Sequence, residues 1–129
     1  MSPIPRFHGR SMIITGAAQG IGRQVAMDAA AEGARLCLVD RSPLVVQVAD
    51  EIRRAGGEAF DMMVDLETWT GNAEVMAAAH KAFGAIDVLV TNVGGAIWMK
   101  PFETFDDSEI AAEISRSLFP TLWGCRAVL

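Results

Sequence analysis

The chain has 129 residues, enough for one modest domain, with 51% hydrophobic and 21% charged residues and a formal net charge of −5. A mildly acidic chain without a basic block argues against nucleic acid as the main partner, and no uninterrupted apolar run approaches the ~20 residues of a membrane span. Two cysteines, Cys37 and Cys125, make no disulfide framework, and the apolar stretch near the N-terminus is too short for a signal peptide, so the expected compartment is a reducing cytoplasm.

In chain order, Met12–Ile14 is the first apolar, β-prone run. Ile21, Val25 and Ala29 then recur at helical spacing, and Gly33 follows as a left-handed stop. Leu36–Val39 reads as a second strand. Ser42-Pro43 offers an N-cap serine and a proline at the first helical position, ahead of Leu44, Val48, Ile52 and Ala55 and a stop at Gly56. Phe60–Val64 is the third strand, Val75 or Met76 with Ala79 and Phe83 the next helical face, and Gly84 its stop. Ile86–Val90 is the fourth strand. From Phe105 the spacing of Ile110, Ile114, Leu118 and Leu122 predicts one long helix, with Pro120 inside it. An interior proline loses one hydrogen bond and clashes one turn back, so a kink or outside packing support is expected there.

The strand runs are continuous in hydrophobicity, which suits strands buried on both faces. Strand alternating with helix reads as βαβ units in an open, doubly wound parallel sheet of about four strands, with residues 1–129 forming one domain. Evenly spaced strands also suit a solenoid, but the leucine-rich consensus is absent and the glycine-rich loop occurs once.

That loop is Thr15-Gly16-Ala17-Ala18-Gln19-Gly20-Ile21-Gly22, a G-x-x-x-G-x-G pattern between the first strand and the first helix. Gly16 permits the tight turn, Gly20 lets backbone approach a pyrophosphate, and Gly22 lets the helix pack close to the sheet. The helix N-terminus offers free N–H groups to the anion. Asp40 ends the second strand, 18 residues past Gly22. A carboxylate there accepts hydrogen bonds from the adenosine ribose hydroxyls and repels a 2′-phosphate, which favours NAD over NADP. Arg41 beside it is a cation that tolerates such a phosphate. Asp65-Leu66 closes the third strand, where a carboxylate and a neighbouring amide read an adenine edge. Asn92-Val93-Gly94 ends the fourth, where the Asn amide ties neighbouring strands.

With these residues in place, the sequence resembles the classical short-chain dehydrogenases/reductases from about Phe7 to Leu129, and a Rossmann-type dinucleotide-binding fold is implied. Thr15, Gly16, Gln19, Gly20, Ile21 and Gly22 match that family's cofactor loop. Asp40 and Arg41 match its ribose site, Asp65 and Leu66 its adenine contact, and Asn92 and Gly94 its Asn-x-Gly motif, with Val93 in place of the usual alanine. A narrower resemblance, carried by Gly94–Phe102 and Ser117–Trp123, is to the benzoate cis-diol dehydrogenases, and Pro120 matches that subfamily. It implies an NAD-dependent enzyme of aromatic compound catabolism. Its substrate would be 1,6-dihydroxycyclohexa-2,4-diene-1-carboxylate, giving catechol with loss of CO2. Other readings are a short-chain reductase acting on 3-oxoacyl thioesters, or a non-catalytic NAD-binding module.

The family transfers protons with a Ser, a Tyr and a Lys. This chain has no tyrosine, and the resemblance places all three beyond Leu129. Ser117 stands where many members carry a catalytic Asn. The expectation is the N-terminal half of an enzyme, a cofactor half-site with weak or no activity alone, and a homo-oligomer through the long helix when full length. Trp98 and Lys100 are candidate contacts for the substrate's carboxylate or ring. Arg116 is a second candidate cation, more readily read as a solvated helix residue or a subunit contact. His8 and His80 are isolated, so no metal site is expected, and Cys37 reads as a small buried hydrophobe.

Overall fold

The computed structural model describes residues 5–129. Four strands form one parallel sheet: β1 (Ser11–Thr15), β2 (Arg35–Asp40), β3 (Glu58–Met63) and β4 (Val88–Val90). Their spatial order is β3-β2-β1-β4. The chain therefore winds outward to β3 and crosses back to place β4 on the other side of β1. The C-terminal ends of β1 and β4 flank the crevice where strand order reverses, which is where open α/β sheets bind ligands.

Among the described residues there are five α-helices: α1 (Gly20–Ala31), α2 (Leu44–Arg54), α3 (Trp69–Phe83), α4 (Asp107–Ser117) and α5 (Phe119–Val128). Side chains alternate across the strands, so two cores result. Met12, Ile14, Leu36 and Leu38 pack with Ala26, Ala29, Val45, Val48 and Ile52 of α1 and α2. Ile13, Cys37 and Val39 pack on the other face with Val75, Met76 and Ala79 of α3 and, at the margin, Ala127 and Val128 of α5. All of β1 is buried, which explains its unbroken apolar run.

Gly33, Gly56 and Gly84 carry positive φ at the helix stops. α2 begins one residue later than expected, with Pro43 at its N-cap and no side-chain cap; Ser42 Oγ accepts from the Leu44 amide at 3.3 Å. Two expected helix faces are displaced. In α1 the buried residues are Gly22, Ala26 and Ala29, while Ile21 is 76% exposed. Small side chains face the sheet because the helix lies close to it. In α2 the buried face is Val45, Val48, Ala49 and Ile52, one residue past Leu44, which lies outward with Ala55.

The single long helix expected from Phe105 is also corrected. A 3-10 turn at Phe102–Thr104 precedes α4, and the helix breaks at Leu118 (φ −102°, ψ −47°) before α5 begins. Pro120 then sits in the first turn of α5, where its missing N–H costs nothing. α4 starts with a capping box between Asp106 and Glu109. No residue of α4 is buried, and Ile114, Leu118 and Leu122 are 43%, 48% and 48% exposed. Among the described residues no helix is long and apolar enough to cross a membrane.

Candidate functional site

A cavity of about 270 Å³ opens at the C-terminal ends of the strands. Gly16 and Gln19 line it from the loop after β1, and Asp40 and Arg41 from the end of β2. The end of β3 contributes Val64, Asp65, Leu66 and Glu67, the end of β4 contributes Asn92, Val93 and Gly94, and α4 contributes Arg116. Residues scattered along the sequence thus meet because a parallel sheet brings all its strand ends to one edge.

The loop geometry explains two glycines. At Gly22 an added Cβ would lie 2.0 Å from the Gly16 carbonyl oxygen, so the first turn of α1 closes on the loop only without a side chain. Gly16 has φ +66° and lies beneath Asn92, whose Nδ2 would be 2.9 Å from an added Cβ. The Asn92 amide donates to the Gly16 carbonyl at 3.3 Å. Thr15 Oγ1 accepts from the Asn92 backbone amide at 2.9 Å and donates to the Val90 carbonyl at 3.2 Å. Thr15, Gly16 and Asn92 therefore lock the ends of β1 and β4 together. Gly20 differs: φ is +59°, and nothing lies within 4 Å of an added Cβ, so the backbone here faces open space.

The N-terminus of α1 has no side-chain cap, and its first turn holds no acidic residue. Its unpaired N–H groups and partial positive charge remain free for an anion. The N-termini of α3 and α4 are capped by Thr68 and Asp106, while those of α2 and α5, like that of α1, have no side-chain cap.

Asp40 is held by two backbone amides. Its Oδ2 accepts from Ala18 at 3.1 Å and its Oδ1 from Ser42 at 3.0 Å. Each carboxylate oxygen keeps further acceptor capacity, so the group is fixed in direction and still able to take hydroxyl donors. Arg41 Nη1 lies 3.8 Å from Glu67 at the cavity rim, with its side chain mostly exposed. Asp65 Oδ1 accepts from the Glu67 amide at 2.9 Å, and Leu66 is buried. Asn72, also buried, donates to the Leu66 and Thr68 carbonyls at 2.9 and 2.8 Å. It shapes the turn that presents Asp65 and Leu66.

Trp98 and Lys100 do not line this cavity. The Lys100 ammonium bonds Glu109 at 2.5 Å and the Thr104 carbonyl at 3.3 Å. It also lies 4.8 Å from the Phe105 ring centre and 5.8 Å from that of Trp98. Its charge holds the loop onto α4. Glu113 adds to that hold by accepting from the Ile97 and Trp98 amides at 2.9 and 3.0 Å. Glu113, Asn72 and Glu67 carry no motif signal in the sequence, because their roles come from loops that meet them only in the fold. Arg116, expected on a solvated or subunit-facing surface, is half-buried and lines the cavity. Among the described residues no group of His, Cys, Asp and Glu is arranged to hold a metal.

The arrangement has parts suited to a dinucleotide: an uncapped helix N-terminus, a loop whose Gly16 and Gly22 leave no room for a Cβ, and a fixed carboxylate at the neighbouring strand end. Comparison with known proteins agrees. The short chain dehydrogenase family matches residues 10–129. A 1,6-dihydroxycyclohexa-2,4-diene-1-carboxylate dehydrogenase from Pseudomonas putida is 55% identical over 96% of this chain and 46% of its own length. The enzyme of that name from Acinetobacter baylyi is 53% identical over 100% of this chain and 49% of its own. The chain thus spans about half the length of these curated relatives. A solved metagenomic short-chain oxidoreductase in complex with NADP superposes with a TM-score of 0.86 at 33% identity, over 94% of this chain and 55% of that one. The chain belongs to the short chain dehydrogenase family.

Proposed function

We propose that this chain forms the cofactor half-site of an NAD-dependent oxidoreductase acting on a cyclic diol carboxylate, 1,6-dihydroxycyclohexa-2,4-diene-1-carboxylate. The observation that carries the NAD reading is Asp40, pinned by two amides at the end of β2 with acceptor capacity to spare. Its negative charge suits two ribose hydroxyls and opposes a 2′-phosphate. The substrate reading rests on the two relatives of that activity.

The chemistry NAD⁺ supplies when bound is acceptance of hydride from the secondary carbinol carbon. The residues of this chain bind and orient. The N-terminus of α1 with Gly20 would receive the pyrophosphate, Asp40 the adenosine ribose, and Asp65 with the Leu66 amide the adenine edge. Asn92 keeps β4 and the loop in one fixed relation. Loss of hydride from the carbinol carbon and of the proton from its hydroxyl leaves a β-keto acid in a ring poised to aromatise, and decarboxylation takes up one proton in return. Loss of CO2 then gives catechol, and the atoms balance with no further reactant. These 129 residues contain no tyrosine, so they carry the cofactor side of the reaction and are expected to show no turnover by themselves. The exposed Ile114, Leu118 and Leu122 support a homo-oligomer of the complete enzyme.

The test is a fluorescence titration of the chain with NADH and NADPH. The expected result is tighter binding of NADH. Tighter NADPH binding overturns the cofactor assignment. For the substrate, the chain is joined to the second half of the Pseudomonas putida relative and assayed with the diol carboxylate and with a 3-oxoacyl thioester. Activity on the thioester alone would assign a different reductase.

A further inference from the structure

We infer that Glu113 is a positioning residue for the nicotinamide end of the dinucleotide: from α4 it holds the loop that leaves β4 as a fixed wall beside the cleft. The inference rests on the reading of the neighbouring cavity as a nicotinamide-dinucleotide site.

β4 ends at Val90, and the chain leaves the sheet through Asn92, Val93 and Gly94, which line the cavity. Gly94 and Gly95 then carry φ of +156° and +117°, and the loop runs on beside α4. Among the described residues, residues 93–99 make no backbone–backbone hydrogen bond. Peptide groups in such a segment need other partners, and α4 supplies them. Glu113 Oε1 accepts from the Ile97 and Trp98 amides at 2.9 and 3.0 Å. Ser117 Oγ donates to the Gly95 carbonyl at 3.3 Å. Bonds from backbone amides to a carboxylate are stronger than neutral ones, so Glu113 is the main hold on this part of the loop.

The side of the cleft that the loop borders follows from the strand order. Asp40 and Asp65 stand at the ends of β2 and β3, on one side of β1, and β4 lies on the other. A dinucleotide bound across the reversal point with its adenosine ribose on Asp40 extends its second nucleotide toward β4. The loop leaving β4 therefore borders the nicotinamide and not the adenosine. A wall ordered in advance costs little when the nicotinamide docks. Released from Glu113, the loop has to be ordered at that step.

The experiment measures NADH and ADP-ribose binding to the wild-type chain and to its Glu113→Ala and Glu113→Gln variants by calorimetry, with amide hydrogen exchange followed by NMR at Ile97 and Trp98. ADP-ribose keeps the adenosine, the pyrophosphate and the second ribose but has no nicotinamide. Glu113→Ala is expected to raise Kd for NADH about tenfold and to leave that for ADP-ribose within about twofold. Both amides should then exchange freely. Glu113→Gln keeps a carbonyl acceptor and should restore most of the protection and of the NADH affinity. A merely structural role would move both ligands together, so an equal loss for NADH and ADP-ribose overturns the inference. NADH binding unchanged by Glu113→Ala does the same. The wild type gives a second check that no variant's folding can affect: NADH should slow exchange at Ile97 and Trp98 more than ADP-ribose does, and equal protection by the two ligands is a contrary result. A wild-type chain that binds neither ligand removes the dinucleotide reading and this inference with it, an outcome distinct from the failure of Glu113 alone.

Discussion

Asp40 Oδ2 accepts the Ala18 amide at 3.1 Å, which ties the end of β2 to the glycine loop leaving β1. The bond does two things. It fixes the carboxylate's direction, and it makes the shape of the loop depend on an acid two elements away. Asp40→Asn is therefore expected to weaken NADH binding about tenfold, since one charged acceptor for ribose hydroxyls is lost. NADPH binding should tighten, because the charge that opposes the 2′-phosphate is gone. Parallel titrations with both cofactors check this. A variant that loses affinity for both equally would show that Asp40 acts on the loop alone.

The two glycines of the loop separate steric need from conformational need. Gly22→Ala forces a Cβ to 2.0 Å from the Gly16 carbonyl oxygen. Backbone cannot yield that far without moving α1 off the loop, so a loss of about 3 kcal/mol or outright failure to fold is expected. Gly20→Ala meets nothing within 4 Å but must hold φ near +59°, at a cost of roughly 1–2 kcal/mol. Urea unfolding midpoints give the order. Equal midpoints for the two variants would sink the steric account of Gly22.

The strands were legible because burial on both faces leaves an unbroken apolar run, as in Met12–Ile14 and Leu36–Val39. That the glycine-rich loop, Asp40 and Asn92 lie at neighbouring strand ends was legible because a parallel sheet fixes where each strand end must lie. Helix faces were less so. A stripe through Ile21 and a stripe through Gly22 fit the spacing almost equally, and only the closeness of α1 to the sheet selects the small residues. The break at Leu118 follows from Pro120, but its exact place depends on local backbone choice. Glu113 and Asn72 stayed illegible for a different reason. Their partners are backbone groups of loops, and nothing in the spacing of a helix says which loop will lie against it.

The two thiols should differ sharply in reactivity. Cys37 is fully buried in β2, and burial first, then the nearby Asp61 charge, pushes its thiol up to about 12. Cys125 is exposed. The thiolate is the reactive form, so a disulfide-exchange reagent at mildly alkaline pH should consume one equivalent quickly. The second should appear only on adding denaturant. Cys125→Ser should abolish the fast phase. A fast phase that survives that substitution would mean that β2 opens readily and that the core at Cys37 is not as closed as it stands here.

At the opposite edge of the sheet, Asp87 Oδ2 accepts from the Ser11 amide at 2.9 Å and from Ser11 Oγ at 3.2 Å, and Arg10 Nη1 lies 3.5 Å from Oδ1. The Ser11 backbone donor, above all, holds the carboxyl below its ordinary value, and Arg10 adds to that. A folded-state value below the unfolded one means that the unfolded chain binds the proton more readily. The stabilisation is therefore fully present above the unfolded pKa of about 3.9 and is lost as pH falls through the folded value. Glu32 and Asp106 are lowered as well, so the whole protein should weaken in acid. Asp87→Asn removes one of these contributions. It should lower stability at neutral pH and make stability fall less steeply below about pH 4, as measured by urea unfolding across an acid series. Wild-type and variant curves that run parallel through that range would show that the Ser11–Asp87 contact joins β1 to the start of β4 without any linkage to protonation.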